Sequence, residues 1–197
     1  RERVELPSPD RIRIINRVKP KVPPEEYNPY EAPPAGVPQM ANFGEGYRYH
    51  VTGLIHDKTG FPTEDPKEIE FLITRLTNKI IHNAGDIVRW EEKFMEDAIF
   101  AVFAYGATAR SALHAVKMAR QEGIKVGFIR PITLWPFPTK MIDRAVQSVN
   151  RIIVAEMNLG QIYHEVKKVG QGRAEIEILS RVDGELFTPQ DILYRIK

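Results

Sequence analysis

The side chains able to carry chemistry are few in kind: 26 carboxylates, 28 basic groups and 5 histidines, with no cysteine among 197 residues. Without thiols the chain holds no disulfide framework, thiolate zinc site, cysteine nucleophile or all-cysteine iron–sulfur cluster. His50, His56, His82, His114 and His164 form neither an HxxxH nor an HExxH pattern, which argues against a metal site. No serine stands in a Gly-x-Ser-x-Gly elbow, and no carboxylate pair emerges from one face. Gly106 follows an apolar run, where a phosphate-binding turn would lie. Yet Tyr105-Gly106-Ala107-Thr108-Ala109-Arg110 has one glycine where the dinucleotide fingerprint needs three, and no Walker lysine follows, so it reads as a tight strand-to-helix connection.

Two places hold polar groups in a suggestive arrangement. Glu156, Asn158 and Gln161 directly follow the apolar run 152–155, at the carboxyl end of a buried strand, where open α/β sheets place ligands or partners. The competing reading is that they cap a helix and satisfy a turn. Arg130 ends an earlier run at the same edge, and either holds Glu156 across the strand ends or binds a carboxylate or phosphate presented by a neighbour. The connection after it, 132–138, is apolar for a loop and carries Trp135 and Phe137, which either anchor an interface or fold back over their own core. The second place is 40–62, where four glycines are interleaved with Phe43, Tyr47, Tyr49, His50 and His56. Glycines there suit positive φ or close backbone approach, and 47–54 reads as a strand. Arg48, His50 and His56 are its candidates for an interface or an active-site wall.

The elements that must position these groups fall into three parts: a proline-rich extended arm and Gly/aromatic loop over 1–62, a connecting helix and short segment over 63–97, and an α/β domain over 98–197. Of 15 prolines, 11 lie in 1–66. X-Pro steps favour extended backbone and remove amide donors, and the interleaved Tyr27, Tyr30, Val22, Val37 and Met40 point to an ordered arm, with burial concentrated on Tyr27 and Tyr30, against the alternative of a disordered linker. Thr63 or Asp65 caps the following helix, Pro66 suits its first turn, and Ile69, Leu72, Ile73, Leu76 and Ile80 make one apolar face ending near Gly85. Residues 87–95 read as either a short strand or a loop. Short apolar runs at 99–104, 126–129 and 152–155 are strands buried on both faces, separated by helices at 107–121 and 138–148. A helix at 160–169, a strand with one wet face at 174–180 and a helix capped by Thr188 complete a βαβ series. That alternation predicts a three-layer α/β/α domain with a mostly parallel sheet.

The net charge is +2 and neither part is polybasic, which gives no electrostatic case for nucleic acid or an anionic membrane. No apolar stretch approaches the roughly 20 residues of a membrane helix, so a cytoplasmic protein is expected. The opening Arg1-Glu2-Arg3 lacks an initiator methionine, which suggests a piece of a longer chain.

Three motifs carry a resemblance. Val22-Pro23-Pro24-Glu25-Glu26-Tyr27, the loop from Asn42 through Leu54, and His56-Asp57 followed by Gly60-Phe61-Pro62 resemble the alpha chain of 2-oxoacid:ferredoxin oxidoreductases, especially the 2-oxoglutarate type. The runs Tyr105 through Arg110, Arg130 through Pro138 and Glu156 through Gln161 are similar to that chain's transketolase C-terminal-like domain, which has a counterpart in the beta chain of pyruvate dehydrogenase. The resemblance implies an enzyme that oxidatively decarboxylates a 2-oxoacid to an acyl-CoA with thiamine diphosphate, magnesium and an iron–sulfur cluster, reducing ferredoxin. It also implies a beta subunit and a second alpha chain as partners. The family's pyrimidine-binding domain, with its activating glutamate, has no counterpart in these residues, so the cofactors are expected on other domains or subunits, and the piece is expected to serve assembly and active-site walls. A protein-interaction module with no enzymatic role is the alternative, and the reading frame upstream of Arg1 distinguishes the two.

Overall fold

The computed structural model describes residues 4–197; Arg1, Glu2 and Arg3, on which the reading of a missing start rests, lie outside the described residues. The chain divides into two compact units, one up to Asn83 and one from Ala84 onward. Among the described residues no helix is long and apolar enough to cross a membrane.

In the first unit prolines dictate the form. Among the described residues its regular structure is the 3-10 turns Pro9–Arg11 and Pro24–Glu26 and helix α1, Pro66–Ile81. Prolines contribute carbonyls but no amide donors, so tyrosine hydroxyls supply the missing hydrogen bonds. Tyr27 donates to the Gln39 carbonyl (2.9 Å), Tyr30 to His50 (3.1 Å), Tyr47 to Val22 (2.8 Å) and Tyr49 to Ala41 (3.1 Å). Tyr27 also packs edge-on against the rings of Tyr47 and Tyr49, at 5.0 and 6.0 Å between centroids. Tyr27 and Tyr30 are half-buried and Pro29 between them is buried. The strand expected at 47–54 does not form. Gly44 and Gly46 just before it turn at φ +84° and +87°, and the backbone pairing in this loop is a single bridge, His56 with Pro62. Asp65 caps α1 by accepting from the Lys67 amide (2.8 Å), and the helix stops at Ile81, short of Gly85, with Asn83 Nδ2 donating to the Lys79 carbonyl (2.7 Å).

The second unit follows the alternation in its sequence. Its elements are α2 (Ala84–Ile87), β1 (Trp90–Lys93), β2 (Phe100–Ala104), α3 (Gly106–Gln121), β3 (Val126–Pro131), α4 (Thr139–Ala145), β4 (Arg151–Glu156), α5 (Gln161–Gly170), β5 (Glu175–Ser180) and α6 (Pro189–Ile196). The strands stand in the order β1-β3-β2-β4-β5; β1 runs antiparallel to β3 and the other pairings are parallel. The ambiguous 87–95 stretch therefore supplies an edge strand. Residues of β2, β3 and β4 are buried on both faces. One face packs Val102, Phe128 and Ala155 under α3 and α6; the other packs Phe103, Ile129, Ile152 and Val154 under α4 and α5. The result is the three-layer α/β/α arrangement with a mostly parallel sheet. At the other edge β5 is less simply wet than its pattern predicts: Glu177 is half-buried and pairs with Arg151 (3.7 Å) and Arg195.

Candidate functional site

The carboxyl ends of β2 and β4 meet the first turn of α5, and three side chains tie them together. Glu156 is the last residue of β4, only 1% exposed. A charge so placed is costly unless every lone pair finds a donor. Its Oε1 accepts from the Tyr163 amide (2.9 Å), and its Oε2 from the Ile162 amide (3.1 Å) and the Tyr105 hydroxyl (3.0 Å). The two amides belong to the opening turn of α5, where unpaired N–H groups and the helix dipole favour an anion. Asn158 completes the arrangement, its Oδ1 accepting from the Gly160 and Gln161 amides (2.9 and 2.8 Å) and its Nδ2 donating to the Tyr105 oxygen (2.9 Å). Gly160 turns at φ +105°, and a Cβ there would lie 3.2 Å from Ile178 Cδ1, so the turn needs glycine for both conformation and space.

Tyr105 follows β2 directly. Burial, then its hydrogen bond to Glu156 and the charge of that carboxylate, push its phenol up to about 12, with Asn158 opposing. Tyr105 therefore stays protonated and donates to Glu156. Both oxygens of Glu156 accept hydrogen bonds from the turn or from Tyr105, so this cluster serves as a clamp on the turn. What the clamp holds out is the turn itself. Leu159 is 79% exposed, and Gln161 and His164 are exposed on α5. Beside them an open cleft of about 550 Å³ is lined by Met157, Leu159, His164, Arg181, Val182 and Gly184 among others.

Arg130 does not join Glu156. β2 stands between β3 and β4, which places the two strand ends about 10 Å apart at the usual inter-strand spacing. Arg130 instead lies 3.5 Å from Glu91 on the antiparallel edge strand, directly opposite in the register. Trp135 is 57% exposed, whereas Phe137 is half-buried against the core under α4 and α5, so Phe137 folds back over its own core and Trp135 does not. Tyr105 was not singled out from the sequence. Its signal is an aromatic hydroxyl directly after a buried strand, one residue before the turn glycine.

In the first unit His56 is buried, its ring stacked on Tyr30 (4.6 Å, 18°) and its Nε2 2.9 Å from Thr52 Oγ1. Asp57 Oδ1 accepts from the amides of Thr59 (2.8 Å), Gly60 and Phe61. The Thr59 hydroxyl, first, and these amides hold the Asp57 carboxyl below its ordinary range. His50 is exposed, with its ring 4.9 Å from that of Phe61, and Arg48 is exposed. The three loop candidates thus split: His56 is a buried, loop-building residue, while His50 and Arg48 are exposed.

Residues 98–192 match the family described as pyruvate:ferredoxin oxidoreductase core domain II. Over all 197 residues the chain is 43% identical to the 2-oxoglutarate synthase subunit KorA of Methanothermobacter thermautotrophicus, of which it covers 52%. The chain belongs to the 2-oxoacid:ferredoxin oxidoreductase family. A second oxidoreductase relative is the ketoisovalerate oxidoreductase subunit VorB of Methanothermobacter marburgensis, 41% identical over 110 residues, or 56% of this chain and 31% of VorB. Among solved structures, the 2-oxoglutarate:ferredoxin oxidoreductase of Magnetococcus marinus, with 2-oxoglutarate, coenzyme A and succinyl-CoA bound, matches with a TM-score of 0.74 and 27% identity. The match covers 96% of this chain and 33% of that one. The chain therefore spans about half the length of the KorA relative it matches end to end. Within this oxidoreductase fold, the clamp of Tyr105, Glu156 and Asn158 lies inside the matched core domain.

Proposed function

We propose that this chain is the C-terminal part of the alpha subunit of a cytoplasmic, thiamine-diphosphate-dependent 2-oxoglutarate:ferredoxin oxidoreductase, which oxidatively decarboxylates the 2-oxoacid to an acyl-CoA. The observation that carries this is the 43% identity to KorA across every residue of the chain, arm and loop included. Its partners in this reading are a beta subunit, a second alpha chain and ferredoxin. Magnesium and a thiolate-held iron–sulfur cluster do not fit the donors at hand, and thiamine diphosphate is assigned with its magnesium. The chain has no thiolate, and among the described residues no group of three or more histidines or carboxylates is placed to hold a metal. Those groups are assigned to other parts of the enzyme.

The work left to these residues is shaping and assembly. The clamp fixes the turn that presents Leu159, Gln161 and His164, while Trp135 and Arg130 offer a second surface. His56 and Asp57 fix the loop that carries Arg48 and His50 as interface or active-site-wall groups. The test is reduction of methyl viologen by the complex of the full-length chain with its co-purifying subunits. The expected result is reduction that requires both 2-oxoglutarate and coenzyme A, and none from residues 1–197 alone. Lack of reduction with every 2-oxoacid tried would refute the enzyme reading. Faster turnover of a branched 2-oxoacid, which the VorB similarity makes the rival substrate class, would refute the 2-oxoglutarate assignment alone. Trp135→Ala should weaken subunit association by about 2 kcal/mol or more if this ring is an interface anchor.

A further inference from the structure

The first unit forms a half-open cavity of about 550 Å³ between α1 and the arm and loop, with walls that are mostly apolar or aromatic, including Tyr27, Met40, Tyr49, Leu54, Leu72 and Leu76. Two cations, Arg75 and Lys79, and the histidines His50 and His56 also line it; no aspartate or glutamate does. Arg75 is the unusual member. It is 4% exposed on the apolar side of α1, next to Leu72 and Leu76. Its Nη1 makes one long bond, 3.4 Å, to the Gly36 carbonyl, and its Nε is buried with no hydrogen-bond partner. Burial lowers its pKa, as expected of a charge taken from water without a counter-ion. A guanidinium has five N–H donors in a planar fork matched to a carboxylate, and buried guanidinium groups are ordinarily paired. The cavity thus has room, apolar walls and an unanswered positive charge.

We propose that this cavity receives a carboxylate flanked by apolar residues, presented by a partner polypeptide, with Arg75 as its counter-ion. Charge complementarity selects the acid, since the walls contain none. The rim selects a polypeptide over a free organic acid: Val51, Leu54 and Leu76 line the cavity yet stay exposed. A small acid seated on Arg75 would leave that apolar surface wet, whereas a chain with apolar neighbours on either side of the acid would cover it. The inference rests on reading this chain as a subunit of an assembled oxidoreductase and adds where one contact is made and by what chemistry.

The test uses the complex of the full-length chain with its co-purifying subunits, with Leu76 replaced by the photo-crosslinker p-benzoylphenylalanine and Arg75 left intact. The expected crosslink joins this position to a peptide of a different subunit that contains an aspartate or glutamate beside apolar residues. Lysine in place of that acid should weaken subunit association by about tenfold or more, and Arg75→Glu in the same complex should restore it. A crosslink confined to the alpha chain, to a second copy of it or to an acid-free peptide overturns the proposal. So does the absence of any crosslink, a charge swap that fails to rescue, or release of a stoichiometric organic acid on denaturation. Viologen reduction by the unlabelled complex separates the two readings. Activity without the crosslink sinks only the docking site, and the crosslink without activity sinks only the enzyme assignment.

Discussion

Glu156 shows what one buried charge demands of its neighbours. Glu156→Ala would strand two helix-opening amides and the Tyr105 hydroxyl without their acceptor, and urea unfolding should show a loss of about 3 kcal/mol or more. Glu156→Gln keeps one oxygen but turns an amide NH2 toward a donor, so its loss should be smaller and still clear of zero. Tyr105 gives a pH signature. Its folded pKa, about 12, is raised above the unfolded tyrosine value of about 10. The stability it contributes is therefore fully present below pH ~10 and lost as pH rises through about 12, because the unfolded chain releases the proton first. Absorbance at alkaline pH should resolve one late-titrating phenol among the 7 tyrosines, and Tyr105→Phe should remove that phase. An unchanged titration in Tyr105→Phe would place the late phase elsewhere.

The elements owe their positions to local chemistry at their ends and to close approach in their middles. Helix α6 starts on a capping box, with Thr188 Oγ1 accepting from the Asp191 amide (3.2 Å) and Asp191 accepting from the Thr188 amide (2.8 Å). Thr188→Ala should cost about 1 kcal/mol in thermal or urea unfolding. The backbone hydrogen bond from Thr188, first, and then its side chain lower the Asp191 carboxyl, with Arg181 adding to the effect. The cap's support is thus present above the ordinary aspartate range and lost as pH falls through the lowered value, a loss Asp191→Asn should abolish. Gly127, inside β3, is closely approached by the segment before β2. A Cβ there would lie 2.3 Å from Met95 Sδ and 3.1 Å from Ala98 Cβ. Gly127→Ala should destabilise by about 1–3 kcal/mol, and much of that should disappear in a Met95→Ala background, where the sulfur no longer blocks the methyl.

At the scale of the whole chain the two units differ in what holds them. From Ala84 onward both faces of the sheet are buried, with Val102, Phe103, Phe128, Ile129, Ile152 and Ile153 almost fully covered, whereas among the described residues of the first unit the buried apolar side chains are Pro29, Ala41 and Leu72. Residues 84–197 expressed alone should therefore unfold cooperatively by circular dichroism, and residues 4–83 alone should show no sharp transition. Cooperative melting of the isolated first unit would show that tyrosine–carbonyl bonds and ring packing suffice without a conventional core. Much of this architecture was legible in the sequence because its signals are local: strand runs of about five apolar residues, the three- and four-residue steps of α1, Asp65 and Thr188 at helix starts, and prolines that forbid pairing in the arm. Strand order was not, because nothing in the run ending at Arg130 says that β2 will stand between it and Glu156. That single fact sent Arg130 to Glu91 and gave Glu156 to Tyr105 and the α5 amides. Sequence by itself determined which groups exist and which ends of elements carry them, since propensity, capping and periodicity act within a few residues. Only the tertiary structure decided which of them meet, and which buried charge, Arg75, is left waiting for a partner, because pairing across a sheet and burial within a cavity depend on residues far apart in the chain.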